Sequence, residues 1–287
     1  MQTAGVDTLL LSVGADLPYL TGYEAMPLER LTMLVVPVDG PAELVVPALE
    51  APRVTPHDDV FSLVGWGETD DPIGLVVDRI GSARSVAIGE TTWATFLVDL
   101  VKRCPAVTFT NAGEVMTALR SVKQPAEVES LRRAGAAVDR IAARLQAGEI
   151  DVIGRTEAQV SAELARQIIA EGHQRVNFAI VAAGANAASP HHEAGDRIIE
   201  PNEVVLCDFG GTMLDDHGVG YCSDITRCVY TGEPPAEFAE LYEVLFEAQA
   251  VSVASATIGT PAQDVDRAAR EVIVASGLGD YFIHRTG

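Results

Sequence analysis

Short apolar runs separated by breaker residues fill about the first 115 residues and constrain the fold more than any other feature. The runs are interrupted by glycine, proline and aspartate, and they lie at residues 9–11, 33–36, 43–46, 86–88 and 107–109. Two stretches with helical character, at residues 71–80 and 92–102, alternate with them. Such alternation is typical of a mixed or parallel sheet covered by helices. The sequence therefore predicts an α/β domain in the N-terminal part of the chain.

Near residues 119–125 the short apolar runs give way to a long stretch of helical periodicity, and a long helix is predicted to begin there. Pro125 suits a first helical turn because it has no N–H group to leave unpaired. A second helix is predicted from Thr156, whose hydroxyl is expected to cap it while Gln159 reaches back. We place a domain boundary here, which divides the chain into residues 1–120 and 121–287.

The helix–helix pattern recurs later in the chain. Pro-Ala-Glu opens the helix at residues 125–127 and again at residues 235–237, and Thr260 is expected to cap a second helix as Thr156 does. This predicts two copies of one helix–helix–sheet unit, with chance resemblance between alanine-rich helices as the alternative. The second copy stops soon after Gly277. We therefore expect the printed chain to be a truncated part of a longer protein.

Charge and composition exclude several function classes. The formal net charge of −21 repels phosphate backbones and anionic lipid, so binding to nucleic acid or to a membrane surface is not expected. With 48% hydrophobic residues the chain can build a core without disulfides. It has four cysteines without C-x-x-C spacing, no basic leader and no apolar run long enough to span a bilayer. We predict a cytoplasmic globular protein.

Two aspartates flank extended segments in the second part of the chain. Asp208 follows an apolar run and Asp224 precedes the extended segment 225–230, so an antiparallel strand pair would bring the two carboxylates together. Their repulsion would be relieved by a hard divalent cation such as Mn²⁺ or Mg²⁺. The alternative is that both are turn and cap residues at strand ends. His191 and His284, taken alone, read as a loop residue and a strand-edge residue.

Ordered motifs along nearly the whole chain make the sequence resemble the creatinase/prolidase/aminopeptidase P group of metallopeptidases, and among them a bacterial Xaa-Pro dipeptidase. The motifs lie at residues 16–22, 119–127, 189–191, 206–210, 223–227 and 284–287. The resemblance implies an α/β N-terminal domain followed by an α+β domain of the pita-bread fold. That fold has an internal pseudo-two-fold repeat, and its second half is incomplete in this chain.

The resemblance also implies a dinuclear metal centre, with manganese as the expected metal and cobalt or zinc as alternatives. By motif, Asp208 and Asp224 would be ligands, and His191 and His284 would contact the substrate. The remaining ligands, one His and two Glu, would follow Gly287, so we expect the 287-residue chain alone to be metal-poor and inactive. Asp215, Asp216 and His217 lie in a longer loop than the family usually has, and we expect them to be loop decoration.

The implied activity is hydrolysis of Xaa-Pro dipeptides or N-terminal Xaa-Pro bonds, with a metal-activated water as the nucleophile. The partners implied are a short proline-containing peptide and a second copy of the chain in a homodimer. Two alternatives stay open at this point. A creatinase-like hydrolase would need no metal, but the Asp208–Asp224 pair counts against it. A non-catalytic, peptidase-like binding protein is the other, and the retained aspartate motifs and His191 count against it.

Overall fold

The computed structural model describes residues 1–286, which form two compact units. The first unit consists of Met1–Ala137, Gly172–Arg175 and Gly211–Ser223. The second consists of Val138–Glu171, Val176–Gly210 and the chain from Asp224 onward. The units interleave along the sequence, so the domain bounds 1–120 and 121–287 stay a prediction.

A six-stranded mixed sheet forms the centre of the first unit. Its strands are Thr8–Leu11 (β1), Met33–Pro37 (β2), Ala42–Pro47 (β3), Phe61–Trp66 (β4), Ser85–Ile88 (β5) and Thr108–Asn111 (β6). The spatial order is β4-β3-β2-β1-β5-β6, in which β2 runs antiparallel to both its neighbours and all other pairs are parallel. The helices of this part are Asp16–Thr21 (α1), Pro72–Ile80 (α2), Ala94–Arg103 (α3) and Gly113–Arg120 (α4).

The central strand β1 explains why its sequence is an unbroken apolar run. All four of its residues are buried, and their side chains alternate between the two faces of the sheet. Leu9 and Leu11 pack in one hydrophobic cluster, whereas Leu10 packs in another with Val76 of α2 and Leu100 of α3. A strand covered on both faces needs apolar residues at every position. The sequence signal was therefore strong, and the predicted strand is confirmed.

The edge strand β4 was not predicted. Its two end residues, Phe61 and Trp66, are buried, but the four residues between them are exposed or half-buried. A strand with so little buried surface carries a weak apolar signal, which explains the omission.

Among the residues that the structure describes, the second half of the chain forms four α-helices and a four-stranded sheet. The elements are Pro125–Gln146 (α5), Glu157–Ala170 (α6), Arg175–Ala183 (β7), Val204–Leu214 (β8), Gly220–Cys222 (β9), Ile225–Tyr230 (β10), Ala236–Ser255 (α7) and Ala262–Ala275 (α8). The sheet order is β10-β8-β7, and β9 also pairs with β8. Both β10 and β9 run antiparallel to β8.

The core of the second unit lies between two helices and one face of this sheet. Ile141 of α5 and Leu164 of α6 pack in one cluster with alternate residues of β8, namely Val205, Cys207 and Phe209. Because side chains alternate along a strand, the residues between these three lie on the other face of the sheet. Asp208 is one of them. It therefore lies on the face opposite the one that packs against α5 and α6, because its neighbours Cys207 and Phe209 are buried on that packed face.

Val128 and Leu131, in the first two turns of α5, are exposed at 39% and 36%. One detail of the predicted helices is wrong. Thr260 does not cap α8. The residue before the helix is Pro261, and no side chain caps the helix. The Thr260 hydroxyl instead contacts the Thr257 hydroxyl at 2.9 Å. By contrast, Thr156 and Gln159 form the predicted capping box on α6.

Within residues 1–286, no helix combines the length and the apolar character needed to cross a membrane.

Candidate functional site

The Asp208 carboxylate lies on β8 opposite Thr226 of β10. The Thr226 hydroxyl donates a hydrogen bond to Asp208 Oδ1 at 2.8 Å. Asp208 is half-buried, because the strands on either side of β8 flank it while the face on which it lies stays partly open. The side chain is thus held in place by a neighbour on the adjacent strand, which sequence reasoning did not identify as a contact of the site.

Asp224 lies next to Asp208 across the same strand pair. The pairing of Phe209 with Ile225, continued by one residue, puts Asp224 opposite Gly210. Residues 208 and 210 share a face of β8, so Asp208 and Asp224 are diagonal neighbours on that face, a relation with α-carbons typically about 7–8 Å apart. The structure therefore brings the two predicted aspartates together, on the antiparallel pair that the sequence suggested.

The surroundings of Asp208 raise the pKa of its carboxyl. Burial has the largest influence and raises the pKa, and the charge of Asp224 raises it further. The hydrogen bond from Thr226 and the His191 imidazole lower it, but not enough to reverse the shift. The carboxylate is therefore disfavoured by its surroundings. A nearby cation would reverse this balance.

The donor chemistry of this pair fits a hard divalent cation, because carboxylate oxygens are the ligands that such ions prefer. Asp208 and Asp224 would supply two carboxylates from one face of the sheet. Within the described residues 1–286, no group of three or more His, Cys, Asp and Glu side chains is arranged to hold a metal ion. The pair thus fits as part of a ligand set and not as a complete one.

His191 lies in the loop between β7 and β8, and its side chain is exposed. The loop begins with the short 3-10 helix Gly184–Ala188. The His191 imidazole is the smallest of the four influences on the pKa of the Asp208 carboxyl, which it lowers. Its neighbour His192 points elsewhere, with Nε2 at 2.7 Å from the buried Glu157 carboxylate.

His284 lies in the segment that follows α8. Its Nδ1 lies 2.7 Å from the Arg285 carbonyl oxygen, and its own carbonyl accepts a hydrogen bond from Arg270 at 3.1 Å. Arg270 also covers the Phe282 ring at 4.4 Å. Residues 282–286 form no strand, so the expectation of a strand edge is wrong. The contacts described for His284 do not include the Asp208 or Asp224 carboxylates.

The three polar residues of the longer loop lie in the turn between β8 and β9. Asp215 Oδ1 accepts hydrogen bonds from the N–H groups of His217 at 2.9 Å and Val219 at 2.8 Å. Such a side chain closes its own turn. Asp216 is 93% exposed, 4.0 Å from Arg133. These residues build the hairpin, which agrees with their interpretation as loop residues.

Glu157 is the residue of this region that sequence reasoning missed altogether. It is the first residue of α6, directly after the capping Thr156, and it is fully buried. A glutamate in a first helical turn is common, because it complements the helix dipole. The sequence therefore held no signal that this one would lie buried among distant partners.

Solved structures define the class of protein. The chain resembles dipeptidase PepE from Mycobacterium ulcerans with a TM-score of 0.90 and 40% identity, covering 99% of this chain and 76% of that one. It resembles a recombinant prolidase from Thermococcus sibiricus with a TM-score of 0.89 and 30% identity, covering 99% and 77%. An α/β domain followed by a pita-bread domain is thus the fold, as the sequence predicted, and the class is that of two-domain peptidases.

The sequence comparisons then give the family. The model of "Metallopeptidase family M24" matches residues 129–287, and that of the "Creatinase/Prolidase N-terminal domain" matches residues 1–122. A probable dipeptidase PepE of Mycobacterium tuberculosis (strain ATCC 25618 / H37Rv) is 39% identical over 288 residues, which span 99% of this chain and 75% of the relative. The chain belongs to the M24 metallopeptidase family, and the resemblance inferred from the motifs is confirmed.

Proposed function

We propose that this protein is a metal-dependent exopeptidase that hydrolyses Xaa-Pro dipeptides or N-terminal Xaa-Pro bonds. Membership of a metallopeptidase family supports peptide hydrolysis with a divalent metal cofactor. The proline preference is supported by structural relatives that are described as prolidases, among them the enzyme from Thermococcus sibiricus. The observation that carries the proposal is the placement of Asp208 and Asp224 as diagonal neighbours on one face of the sheet.

Asp208 and Asp224 would hold the metal, for which we propose two ions, with manganese ahead of cobalt and zinc. When bound, such a cation lowers the pKa of a coordinated water and polarises the scissile carbonyl. The hydrogen bond from Thr226 orients the Asp208 carboxylate for this task. Both carboxylates lose part of their mutual repulsion when they share a positive charge.

His191 and His284 would contact the peptide. An imidazole N–H that donates to the scissile carbonyl oxygen stabilises the negative charge that develops on it. His191 is exposed to solvent, and its imidazole is one of the influences that lower the pKa of the Asp208 carboxyl, which supports a role near the carboxylate pair. For His284 the proposal rests on its motif.

The first test uses the protein expressed from its complete natural gene. Asp208→Asn and Asp224→Asn should each lower Mn²⁺ binding, measured by calorimetry, and lower hydrolysis of Ala-Pro at least about 100-fold, because a carboxylate ligand is lost. Asp216→Asn is the matched control, since it makes the same change at an exposed turn residue. Wild-type protein should cleave Ala-Pro and leave Pro-Ala intact.

Unchanged Mn²⁺ affinity in both ligand variants would rule out the proposed metal site. Metal binding without any peptide hydrolysis would favour the non-catalytic, peptidase-like binding protein. Hydrolysis that survives complete metal removal would favour the metal-free, creatinase-like alternative. The homodimer and the cytoplasmic location stay predictions.

A further inference from the structure

Glu157 is a fully buried carboxylate that the proposed chemistry does not use. Its Oε1 accepts hydrogen bonds from the Ala183 N–H at 2.8 Å and the Asn186 side-chain amide at 2.9 Å. Its Oε2 accepts a hydrogen bond from His192 Nε2 at 2.7 Å and a longer one from the Gly195 N–H at 3.5 Å. Four donors therefore converge on one carboxylate inside the second unit.

These hydrogen bonds keep Glu157 ionised. Burial by itself raises the pKa of the carboxyl, but the four hydrogen bonds together outweigh it, and the pKa lies below its ordinary value. An ionised carboxylate is only an acceptor, so His192 must carry its proton on Nε2. A buried charge adds little stability compared with a well-packed apolar residue. The arrangement is therefore better explained by the conformation that it fixes.

The four partners bracket His191 in the sequence. Two precede it and two follow it, so one carboxylate holds both ends of the loop at residues 183–195. The backbone adds a second attachment, because the first two N–H groups of α6 donate to the carbonyl oxygens of Arg197 and Gly195, both at 3.0 Å. The His191 side chain is exposed, and its imidazole lowers the pKa of the Asp208 carboxyl. The loop that carries His191 is thus attached to the start of α6 on both sides of that residue.

A glycine marks the start of the anchored loop. Gly184 has a φ of +55°, and a Cβ there would lie 2.5 Å from Glu203 Oε2 and 2.8 Å from an Arg197 guanidinium nitrogen. These two side chains form an ion pair at 2.5 Å. The chain therefore leaves β7 through a left-handed residue that lies against the Arg197–Glu203 ion pair. Only glycine fits there without strain, so the loop begins at this position.

We propose that Glu157 is a positioning residue that, through His192 and the loop at residues 183–195, fixes the position of the His191 ring. The substrate contact that this serves rests on the proposed function, but the placement of the ring does not. A ring that is fixed before the peptide arrives loses little freedom when it donates to the scissile carbonyl. Glu157 itself acts only through the loop.

Four variants separate this positioning role from general stability. Glu157→Leu removes every acceptor, Glu157→Gln keeps the side-chain size and one oxygen, and His192→Ala cuts a single link. Glu163→Gln is the matched control, because it makes the same change on the same helix while its partners, Arg166 and Gln167, lie outside the loop.

The main measurement is made on metal-free protein. A ¹H–¹⁵N spectrum resolves the histidine rings, with His191→Gln as the assignment variant, and amide hydrogen exchange follows the loop. In Glu157→Leu and His192→Ala we expect the His191 ring resonance to move and the loop amides to exchange about tenfold faster or more. In Glu157→Gln the His191 ring resonance and the exchange rates of the loop amides should lie close to those of wild type. In Glu163→Gln both should equal those of wild type.

The outcomes that overturn the proposal are equally specific. His192→Ala leaves three of the four hydrogen bonds in place, so it decides the matter if Glu157→Leu does not fold. A His191 resonance in His192→Ala that equals that of wild type overturns the positioning role. An equal displacement in Glu163→Gln overturns it as well, because the effect would then be one of general stability.

Peptide hydrolysis provides a separate readout. In metal-loaded protein from the complete natural gene, we expect His192→Ala to lower kcat for Ala-Pro about tenfold while KM changes little, since the misplaced ring serves the transition state. A rise in KM with unchanged kcat contradicts the proposal. If wild-type protein hydrolyses no peptide, the proposed function fails, and the ring resonances alone decide the role of Glu157.

Discussion

The half-buried Asp208 and the fully buried Glu157, both in the second unit, have surroundings that shift their pKa values in opposite directions. The pKa of Asp208 is raised, because burial and the charge of Asp224 outweigh its hydrogen bond from Thr226 and the influence of His191. The pKa of Glu157 is lowered, because four hydrogen bonds outweigh its burial. Glu157 is therefore a satisfied structural anion, whereas Asp208 is an anion that a cation would stabilise.

A third carboxylate allows a prediction on acid stability at the residue scale. Hydrogen bonds from Arg166 and then from Gln167 lower the pKa of Glu163 from 4.5 to about 2. A lowered folded-state pKa contributes stability above the unfolded pKa of 4.5, and this contribution is lost as the pH falls toward about 2. Arg166 is largely exposed, so we discount the contribution to about 1 kcal/mol or less.

We therefore expect Glu163→Gln to be less stable than wild type at pH 6 and equally stable near pH 2, as measured by urea unfolding across this range. Arg166→Gln is the companion variant and should lose the same pH-dependent contribution. A stability difference between Glu163→Gln and wild type that does not change with pH would contradict this assignment.

At the scale of elements, the start of α6 organises the second unit. The Thr156 hydroxyl accepts the Gln159 N–H at 3.1 Å, and the Gln159 side chain accepts the Thr156 N–H at 3.0 Å. Thr156 also pairs with Ile198 in an isolated antiparallel bridge. The first turn of α6 thus satisfies its own free N–H groups, and its cap residue also pairs with the chain that leads into β8.

The cap of α6 gives a prediction at this scale. Thr156→Ala should destabilise the protein by about 1 kcal/mol, because the Gln159 N–H loses its acceptor at a helix N-terminus. Thr156→Ser is the control, since it keeps the hydroxyl, and urea unfolding midpoints provide the measurement. Equal midpoints for the alanine and serine variants would show that the observed cap contributes nothing.

At the scale of the whole molecule, net charge is the dominant property. The chain carries a formal charge of −21 at pH 7. Many of its arginines already pair with carboxylates, for instance Arg197 with Glu203 and Arg144 with Glu171, so the excess negative charge lies mainly at unmatched surface carboxylates. Self-repulsion of this kind disfavours the compact state and is weakened by salt.

We expect the thermal midpoint to rise when sodium chloride is increased from about 10 mM to about 150 mM, since the Debye length falls from about 30 Å to about 8 Å. The rise should be about 2–4 °C, which corresponds to about 1 kcal/mol in a protein of this size. Choline chloride at the same ionic strength is the control and should give the same rise in Tm, because screening depends on ionic strength. A fall of Tm with salt would mean that attractive ion pairs outweigh the repulsion.

The sequence predicted much of the fold, because strands and helices reveal themselves locally. The apolar run Leu9–Leu11 predicted a strand, and Thr156 with Gln159 predicted the start of a helix. The edge strand β4 was missed for a physical reason. Periodicity reports which side of an element is apolar, but it does not report how much of that side its neighbours cover.

The candidate site divides in the same way. The sequence by itself determined the family through its ordered motifs, and it determined that Asp208 and Asp224 could meet across an antiparallel pair. Only the tertiary structure decided that Thr226 holds Asp208 and that Glu157 lies buried against donors 26 to 38 residues away. Hydrogen bonds between distant residues leave no local pattern, because what satisfies a buried charge is the folded position of its partners.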